Sequence, residues 1–442
     1  MRQDNVDLSP EDIPKKWYNI IPDLPAPIPP YKDYECETDL RQLPELFTKT
    51  ASMMEFSKER WIDIPQELLE AYIRCGRPFQ LTRARRLEDH LKTNTRIYYK
   101  CENLQPVGTF KTNTALAQAY WAMKEGYSRT VFSGSSSTRT KMAHAYAAKY
   151  FGLTPTVFVP RADSMENPEH TYFLSEMLGA DVRVSPSSDT KVGRELLGVN
   201  PSHPVLIDIV RREVEEEASK PEAVAVISSF LNHVLLTQTV MGLEAEKQFS
   251  IIDEEPDILI APVGGGSNFY GLIAPFLKKK IRGEKEVRLL AVESETSAKL
   301  THGRYGYVRL QSPASGIMGK TYEFEMEKST PRIMGVGIQT SNTAPLLGFL
   351  RNNGYIDTTV YPRDEKLIFE AARTFLQTEG RLVAPESAYA IRAAIDEAHR
   401  LKESNEEKVI LLSVSATMNM DFGEKQRYHK QMQTTSTCIE EN

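Results

Sequence analysis

Short runs of apolar residues recur along the chain from about residue 96, and stretches with helical spacing separate most of them. The apolar runs predict strands at residues 96–99, 130–133, 154–160, 181–185, 223–228, 258–263, 288–293 and 409–414. The intervening patterns predict helices at residues 112–126, 138–151, 168–178, 231–249, 268–280, 365–378 and 388–402. Strands that alternate with helices form parallel sheets covered on both faces. The pattern therefore predicts an α/β fold.

Three regions lie outside this alternation. Residues 1–35 are rich in proline, which predicts an extended arm held on the body by Trp17 and Tyr18. Residues 40–76 have a helical pattern that ends at a Gly-Arg-Pro break. Residues 303–345 are poorly patterned and rich in glycine, serine and threonine, so we expect loops at a site or an interface there.

Composition excludes several classes of function. Of the 442 residues 26% are charged and 40% hydrophobic, and the net charge of −6 comes from interspersed signs, which argues against nucleic-acid binding. No apolar window approaches the 18 residues of a membrane span, and the N-terminus has no signal-peptide core. The four cysteines form no C-x-x-C pair and the eight histidines no metal-binding pattern. These features predict a cytoplasmic protein without a metal site.

The apolar run at residues 258–261 leads to the most informative segment, which contains three consecutive glycines. The segment comprises Gly264, Gly265, Gly266, Ser267 and Asn268, and a helix is predicted to follow. Glycines let backbone N–H groups converge, and a helix N-terminus adds unpaired donors and positive dipole. The segment therefore predicts a phosphate site. A Rossmann turn or a plain strand–helix connection remains open, although neither G-x-G-x-x-G nor a P-loop lysine is present.

Lys111 stands directly before the helix predicted at residues 112–126. A phosphate site and a lysine at the end of a different element together indicate a phosphorylated aldehyde cofactor held as a Schiff base. The alternative is a solvated lysine in a first helical turn, which the helix dipole disfavours.

Several longer sequence motifs along the chain resemble those of a known family. They are Trp-Tyr-Asn-Ile at 17–20, Asp-Leu-Pro at 23–25, Gly-Arg-Pro at 76–78, Arg-Ala-Arg-Arg-Leu-Glu at 83–88, Asn-Thr-Ala-Leu-Ala-Gln-Ala-Tyr at 113–120, Leu-Asn-His-Val-Leu-Leu at 231–236, the glycine segment at 264–268 and Ala-Pro-Glu-Ser at 384–387. In this order they resemble the tryptophan synthase β-subunit family, in its longer second subgroup, among the fold-type II pyridoxal-phosphate enzymes. The resemblance implies two three-layer parallel-sheet domains with pyridoxal 5'-phosphate in the cleft between them.

The resemblance also implies residue roles. Lys111 matches the lysine that forms the Schiff base and acts as base at the α-carbon, and the glycine segment matches the phosphate loop. Glu386 matches the glutamate beside the pyridoxal ring, and Ser415 matches the serine at the pyridine nitrogen. Asn113 is expected among the cofactor contacts. For Ser415 a strand-end serine that satisfies backbone groups remains the alternative.

The chain departs from the family on the substrate side. Family members carry Glu-Thr-Gly-Ala-Gly-Gln, whose glutamate protonates the departing serine hydroxyl, but residues 132–140 here read Phe-Ser-Gly-Ser-Ser-Ser-Thr-Arg-Thr. No aspartate or glutamate lies between Glu125 and Asp163. The candidates for binding the substrate carboxylate are Ser135, Ser136, Ser137, Thr138 and Arg139. A solvated arginine in a first helical turn is the alternative for Arg139.

Two further family segments are replaced, at residues 334–341 and 415–419. The resemblance with these changes implies β-replacement or β-elimination on a serine-like amino acid whose leaving group departs more readily than hydroxide. The alternatives are a genuine tryptophan synthase acting on indole and L-serine, a catalytically lapsed paralogue with a binding or regulatory role, and a protein without pyridoxal phosphate. The nucleophile stays open, and the resemblance implies a homodimer.

The expected domains follow from this resemblance. They are an N-terminal arm with helices at 1–95, a smaller α/β domain with the carboxylate loop at 96–225, a larger α/β domain with the phosphate loop at 226–425, and a polar tail at 426–442.

Overall fold

The computed structural model describes residues 4–133, 138–161, 164, 173–197, 207–311, 316–326 and 333–418. In chain order the strands are β1 Asn5–Val6, β2 Lys16–Tyr18, β3 Lys32–Asp33, β4 Trp61–Asp63, β5 Leu81–Arg83, β6 Arg96–Lys100, β7 Arg129–Ser133, β8 Thr154–Pro160, β9 Asp181–Ser185, β10 Ala223–Ala225, β11 Ile258–Pro262, β12 Arg288–Ser294, β13 Arg304–Arg309, β14 Ile317–Glu323, β15 Asp357–Tyr361 and β16 Val409–Ser413. The α-helices are Lys49–Glu55, Gln66–Arg74, Arg85–Leu91, Thr112–Lys124, Thr138–Tyr150, Lys191–Leu197, Ile207–Ala218, Asn232–Ile251, Ser267–Ile281, Lys299–His302, Pro345–Asn352, Lys366–Glu379 and Pro385–Glu403.

The larger sheet has seven strands in the order β1-β5-β6-β16-β11-β12-β15. Its last five strands are parallel, and β1 and β5 add an antiparallel edge. Along β11, Leu259 and Ala261 pack in one hydrophobic cluster while Ile258 and Ile260 pack in another. Both faces of the sheet are therefore buried, which explains the continuous apolar run.

The smaller sheet has four parallel strands in the order β10-β7-β8-β9. Its apolar residues share one cluster with the helices Thr112–Lys124 and Thr138–Tyr150. Two parallel sheets covered by helices confirm the predicted α/β class.

The sheets divide the chain differently from the expected domains at one point. The strand β6, expected to open the smaller domain at residue 96, pairs with β16 and belongs to the larger sheet. Its expected position was wrong because sequence order does not show which strands will pair. The expected tail at 426–442 lies outside the described residues.

The N-terminal arm lies on the body as expected. Trp17 and Tyr18 are fully buried, and β2 pairs antiparallel with β4. That pairing corrects the helical prediction for residues 40–76, because β4 separates the helices Lys49–Glu55 and Gln66–Arg74.

Three strands went unpredicted in the 303–345 region and just after it. The antiparallel pair β13 and β14 forms a small sheet with β3, and β15 completes the edge of the larger sheet. The predicted helix at 168–178 is described only from residue 173 onwards, where Phe173–Met177 forms a π-helical turn.

Candidate active site

A cavity of about 170 Å³ lies where strands of both sheets end. The ends of β7 and β10 supply one wall, and the ends of β11 and β16 supply the opposite wall. Ligands of parallel α/β sheets bind at the carboxyl ends of the strands, because loops there are free of sheet pairing. The cavity is therefore the candidate active site.

Lys111 lines this cavity at the N-terminal end of the helix Thr112–Lys124. Its Nζ donates to the carbonyl oxygen of Ser228 at 2.6 Å and to Oγ of Ser267 at 2.8 Å. Burial lowers the pKa of Lys111 to about 7, while the negative charge of Glu386 opposes that shift. A neutral amine is then accessible near pH 7, which both attack on an aldehyde and proton abstraction require.

The glycine segment follows β11 and leads into the helix Ser267–Ile281. Gly266 has φ of +103°, a left-handed conformation that residues with Cβ rarely adopt. A Cβ at Gly264 would meet the carbonyl of Gly337, and one at Gly265 would meet the side chain of Ser229. The turn thus requires glycine, and Ser267 and Asn268, which begin the helix with its unpaired N–H groups, line the cavity.

Two buried donors beside this turn have no hydrogen-bond partner. They are Nδ2 of Asn268, whose Oδ1 accepts from Ser413, and Oγ1 of Thr343. Thr343 Oγ1 lies 3.1 Å from the position of a Cβ built on Gly266. Buried polar groups are normally paired, so unpartnered donors at a helix N-terminus fit a bound anion. The residues present therefore fit the phosphate of pyridoxal phosphate.

Ser415 lines the cavity just after β16. Its Oγ lies 3.0 Å from Oγ of Ser387, and its carbonyl oxygen accepts from the Phe110 N–H at 2.9 Å. The second contact joins the end of β16 to the segment that carries Lys111. A neutral hydroxyl at this position can donate to or accept from a ring nitrogen without adding charge.

Glu386 lies in the first turn of the helix Pro385–Glu403, and its carboxylate faces the cavity. Its Oε2 accepts from Nη2 of Arg139 at 2.8 Å, and its Oε1 accepts from the Gly337 N–H at 3.0 Å. Arg139 comes from the helix that follows β7, so the ion pair joins the two sides of the cavity. Both carboxylate oxygens are thereby held in place.

The charges of the cavity wall are mostly positive. Arg139 and Arg211 line it together with Lys111, and both arginines are less than a tenth exposed. Among the described residues on the wall, Glu386 carries the only carboxylate. Arginine binds carboxylate and phosphate groups through two parallel hydrogen bonds. The wall is therefore suited to a substrate with negative charge.

Asn113 is not among the residues that line the cavity. Its Oδ1 accepts from Arg77 and Gln105, and its Nδ2 donates to Glu102 and Gln238. All four hydrogen-bonding positions of the amide are engaged in a buried network. The expected contact with the cofactor is corrected accordingly, and Asn113 instead supports the helix that carries Lys111.

The expected carboxylate-binding loop is described only in part. Ser135, Ser136 and Ser137 lie outside the described residues, and Thr138 begins the helix without lining the cavity. Arg139 does line the cavity, so the solvated alternative for this residue is excluded.

Several wall residues were not predicted from the sequence. Ser228 and Ser229 follow β10, and two serines at the end of a predicted strand were the available signal. Arg211 and Gln311 carried no such signal, because only the folded chain brings their segments to the cavity. Within the described residues, no group of three or more histidine, cysteine, aspartate or glutamate side chains could hold a metal ion. No helix in this part of the chain is long and apolar enough to cross a membrane.

Comparison with known proteins adds independent information. Residues 74–416 match the family described as pyridoxal-phosphate dependent enzyme. Tryptophan synthase beta chain 2 of Methanothermobacter thermautotrophicus is 39% identical over 94% of this chain and 96% of its own. Tryptophan synthase beta chain of Pyrococcus horikoshii is 40% identical over 93% of this chain and 89% of its own, and tryptophan synthase beta chain 2 of Aquifex aeolicus is 40% identical over 95% and 97%.

Solved structures share the fold. A fungal L-serine ammonia-lyase from Rhizomucor miehei superposes with a TM-score of 0.58 at 18% identity, over 80% of this chain and 97% of that chain. A threonine deaminase isoform from Solanum lycopersicum superposes with a TM-score of 0.58 at 18% identity, over 83% and 94%. At these identities the likeness concerns the fold alone.

Proposed function

This chain belongs to the family of pyridoxal-phosphate-dependent enzymes, and from that premise we propose that it catalyses β-replacement or β-elimination on a serine-like amino acid with an anionic leaving group. The observation that carries the proposal is the cavity wall, where Arg139 and Arg211 stand beside Lys111 and Glu386 is the only carboxylate among the described residues.

The residues around the cavity divide the binding of the cofactor between them. When bound, pyridoxal phosphate supplies an aldehyde that condenses with amino groups and a ring that withdraws electrons from the substrate α-carbon. The helix N-terminus at Ser267, together with Asn268 and Thr343, would hold the phosphate. Ser415 would face the ring nitrogen as a neutral partner. This division is supported by the unpartnered donors beside Gly266.

Lys111 is proposed as the residue that moves the α-proton. Its lowered pKa of about 7 leaves Nζ neutral in a large share of molecules near pH 7. Ser228 and Ser267 orient Nζ towards the cavity through the two short hydrogen bonds. A base that is both neutral and oriented is what abstraction of a weakly acidic proton requires. These properties also argue against a lapsed paralogue.

The charges of the cavity wall favour a substrate whose leaving group departs as an anion. Hydroxide departs only with a proton, and a general acid contributes about 10²–10⁴-fold to such steps. Glu386 accepts hydrogen bonds on both oxygens, so it is not placed to donate a proton to a departing hydroxyl. A phosphate or carboxylate group leaves as a stable anion, and an arginine can receive its negative charge. O-phosphorylated and O-acylated serines are therefore the proposed substrates.

Turnover of four substrates tests this proposal. We expect O-phospho-L-serine, O-acetyl-L-serine and β-chloro-L-alanine each to exceed L-serine in kcat/KM by at least about tenfold. The phosphorylated and acylated substrates should also lose more than β-chloro-L-alanine on Arg211→Gln, because chloride makes little use of a guanidinium fork. Equal kcat/KM values for L-serine and O-phospho-L-serine would overturn the proposed leaving group.

Ordinary tryptophan synthesis is the second candidate, because relatives at 39–40% identity bear that name. It predicts turnover of indole and L-serine to tryptophan at a rate close to that of the O-substituted serines. Product analysis by mass spectrometry with indole present in every reaction separates the two candidates.

We also propose a cytoplasmic homodimer. The described cysteines Cys36, Cys75 and Cys101 are free thiols, which supports a reducing compartment. The homodimer rests on the family resemblance of the sequence alone, and light scattering coupled to size-exclusion chromatography tests it directly.

A further inference from the structure

Behind the glycine segment, a second buried lysine holds three backbone carbonyl groups. Lys299 is fully buried, and its Nζ donates to the carbonyl oxygens of Val263 at 2.8 Å, Ser297 at 3.1 Å and Ile338 at 3.4 Å. An ammonium group has three protons to donate, and three carbonyl oxygens accept them here. Unlike Lys111, Lys299 does not line the cavity.

Two of the three carbonyl groups belong to segments that shape the cavity wall. Val263 is the last residue before the glycine segment 264–268, and Ile338 follows Gly337, whose N–H donates to Glu386. One ammonium group therefore ties the start of the proposed phosphate loop to the turn that orients Glu386. Lys299, which lies outside the cavity, therefore contacts segments that belong to two parts of the cavity wall.

The nearest carboxylate contributes less directly than the carbonyls. Glu293 Oε1 lies 3.5 Å from the Lys299 ammonium, farther than all three carbonyl oxygens. Both oxygens of Glu293 are also engaged by the N–H groups of Leu300 and Thr301 and the hydroxyl of Thr301. Glu293 therefore balances the charge at a distance, and the carbonyl groups provide the closest contacts.

Without a cation, this arrangement would be unfavourable. Three carbonyl dipoles point their negative ends at one buried point, and each would lose its hydrogen bond to the ammonium. The loss would fall mainly on Val263 and Ser297, because the Ile338 carbonyl also accepts from the Thr340 N–H at 3.0 Å and the Ser297 hydroxyl at 3.1 Å. Converging backbone carbonyls are also the ligands with which proteins bind monovalent cations such as K⁺. Lys299 supplies a cation of this kind through a covalent tether.

We propose that Lys299 is a positioning residue whose ammonium group acts as a built-in cation, holding the phosphate loop and the Glu386 turn in the geometry that binds the cofactor. The inference rests on the proposed location of the phosphate at the glycine segment, but it does not depend on which amino acid the enzyme uses. It predicts that the parent protein needs no added cation, and that removing the tethered ammonium creates a site for a free one.

The experiment measures the dissociation constant of pyridoxal phosphate for Lys299→Ala and the parent by fluorescence titration. Buffers contain ammonium, K⁺, Cs⁺ or tetramethylammonium chloride at equal ionic strength, because tetramethylammonium is too large for the space left by a lysine end. In tetramethylammonium we expect the variant to bind at least about tenfold more weakly than the parent, the loss expected from one charged hydrogen bond. Ammonium or K⁺ should restore most of that loss, and the parent should respond to neither ion.

Lys100→Ala is the matched control. Lys100 is also fully buried and paired with a carboxylate, Glu244, but it contacts neither the glycine segment nor the Glu386 turn. Its loss should lower the melting temperature without an ammonium-dependent gain in cofactor affinity. If Lys299→Ala does not fold, Lys299→Gln replaces it, and the response of the parent to K⁺ is measured in any case.

Three results overturn the proposal: unchanged cofactor affinity of the folded Lys299 variant in tetramethylammonium, a loss that neither ammonium nor K⁺ repairs, or a parent that itself requires K⁺. A misplaced phosphate site is recognised separately, because Gly265→Asp would then leave cofactor affinity unchanged. An incorrect substrate assignment alters none of these measurements.

Discussion

Arg139 and Glu386 form a buried ion pair of 2.8 Å across the cavity. Arg139 follows the smaller sheet and Glu386 begins a helix on the larger one. The pair fixes the Glu386 carboxylate in the cavity wall and places an arginine beside it on the same wall. The contact therefore links the geometry of the two sheets to the charge of the cavity.

Breaking this pair should destabilise the cofactor-free protein. We expect Arg139→Gln to lower the free energy of unfolding by about 3–5 kcal/mol, because it leaves a buried carboxylate without its partner. Urea denaturation measures the change. The double variant Arg139→Gln/Glu386→Gln should regain much of the loss, since no unpaired charge remains. A change below about 1 kcal/mol in the single variant would mean that the pair contributes no more than an exposed one.

Covalent labelling should identify Lys111 as the cofactor-bearing residue. Borohydride treatment of the holoenzyme should attach the cofactor to the peptide that contains Lys111, because Nζ lines the cavity and is neutral in part near pH 7. Lys299 is the internal control, because it is fully buried and also lowered in pKa but lies outside the cavity. Peptide mass spectrometry that finds the label on Lys299 or any other lysine contradicts the assignment.

Gly265→Asp should abolish retention of pyridoxal phosphate. A Cβ at this position meets Ser229 and the ring of Phe230, and the added carboxylate repels the phosphate. Gly306→Asp is the matched control, because nothing lies within 4 Å of a Cβ built there. Absorbance after dialysis measures the retained cofactor. Retention by Gly265→Asp equal to that of Gly306→Asp would remove the phosphate site from this turn.

The rate of cofactor capture should rise with pH through about 7. Only the neutral amine of Lys111 attacks an aldehyde, and the neutral fraction grows as pH rises through the pKa of about 7. The charge of Glu386 raises that pKa, so Glu386→Gln should shift the midpoint to lower pH. Stopped-flow absorbance between about pH 5 and pH 9 follows capture in both proteins. A midpoint in Glu386→Gln that is unchanged or higher would show that Glu386 does not act on Lys111 electrostatically.

Local patterns predicted much of the fold, because a strand that is buried on both faces of a parallel sheet has a continuous apolar run in its own sequence. The run at residues 154–160 became β8 with the predicted bounds, and all of its residues except the two at its ends are buried. In contrast, β13, β14 and β15 were missed, because antiparallel and edge strands are only half-buried and their apolar residues do not form a run. The partner of β6 was also invisible, since pairing joins residues far apart in sequence.

The candidate site shows the same division. The sequence by itself determined the glycine turn and Lys111, because a turn that excludes Cβ atoms and a lysine before a helix are local requirements. Only the tertiary structure decided that Asn113 is occupied by buried partners and that Arg139 pairs with Glu386. Charges far apart in the sequence meet only when the chain folds, and their distances set what each group can bind. The chemistry of the cofactor site was thus local, whereas the electrostatics that select the substrate depend on the whole fold.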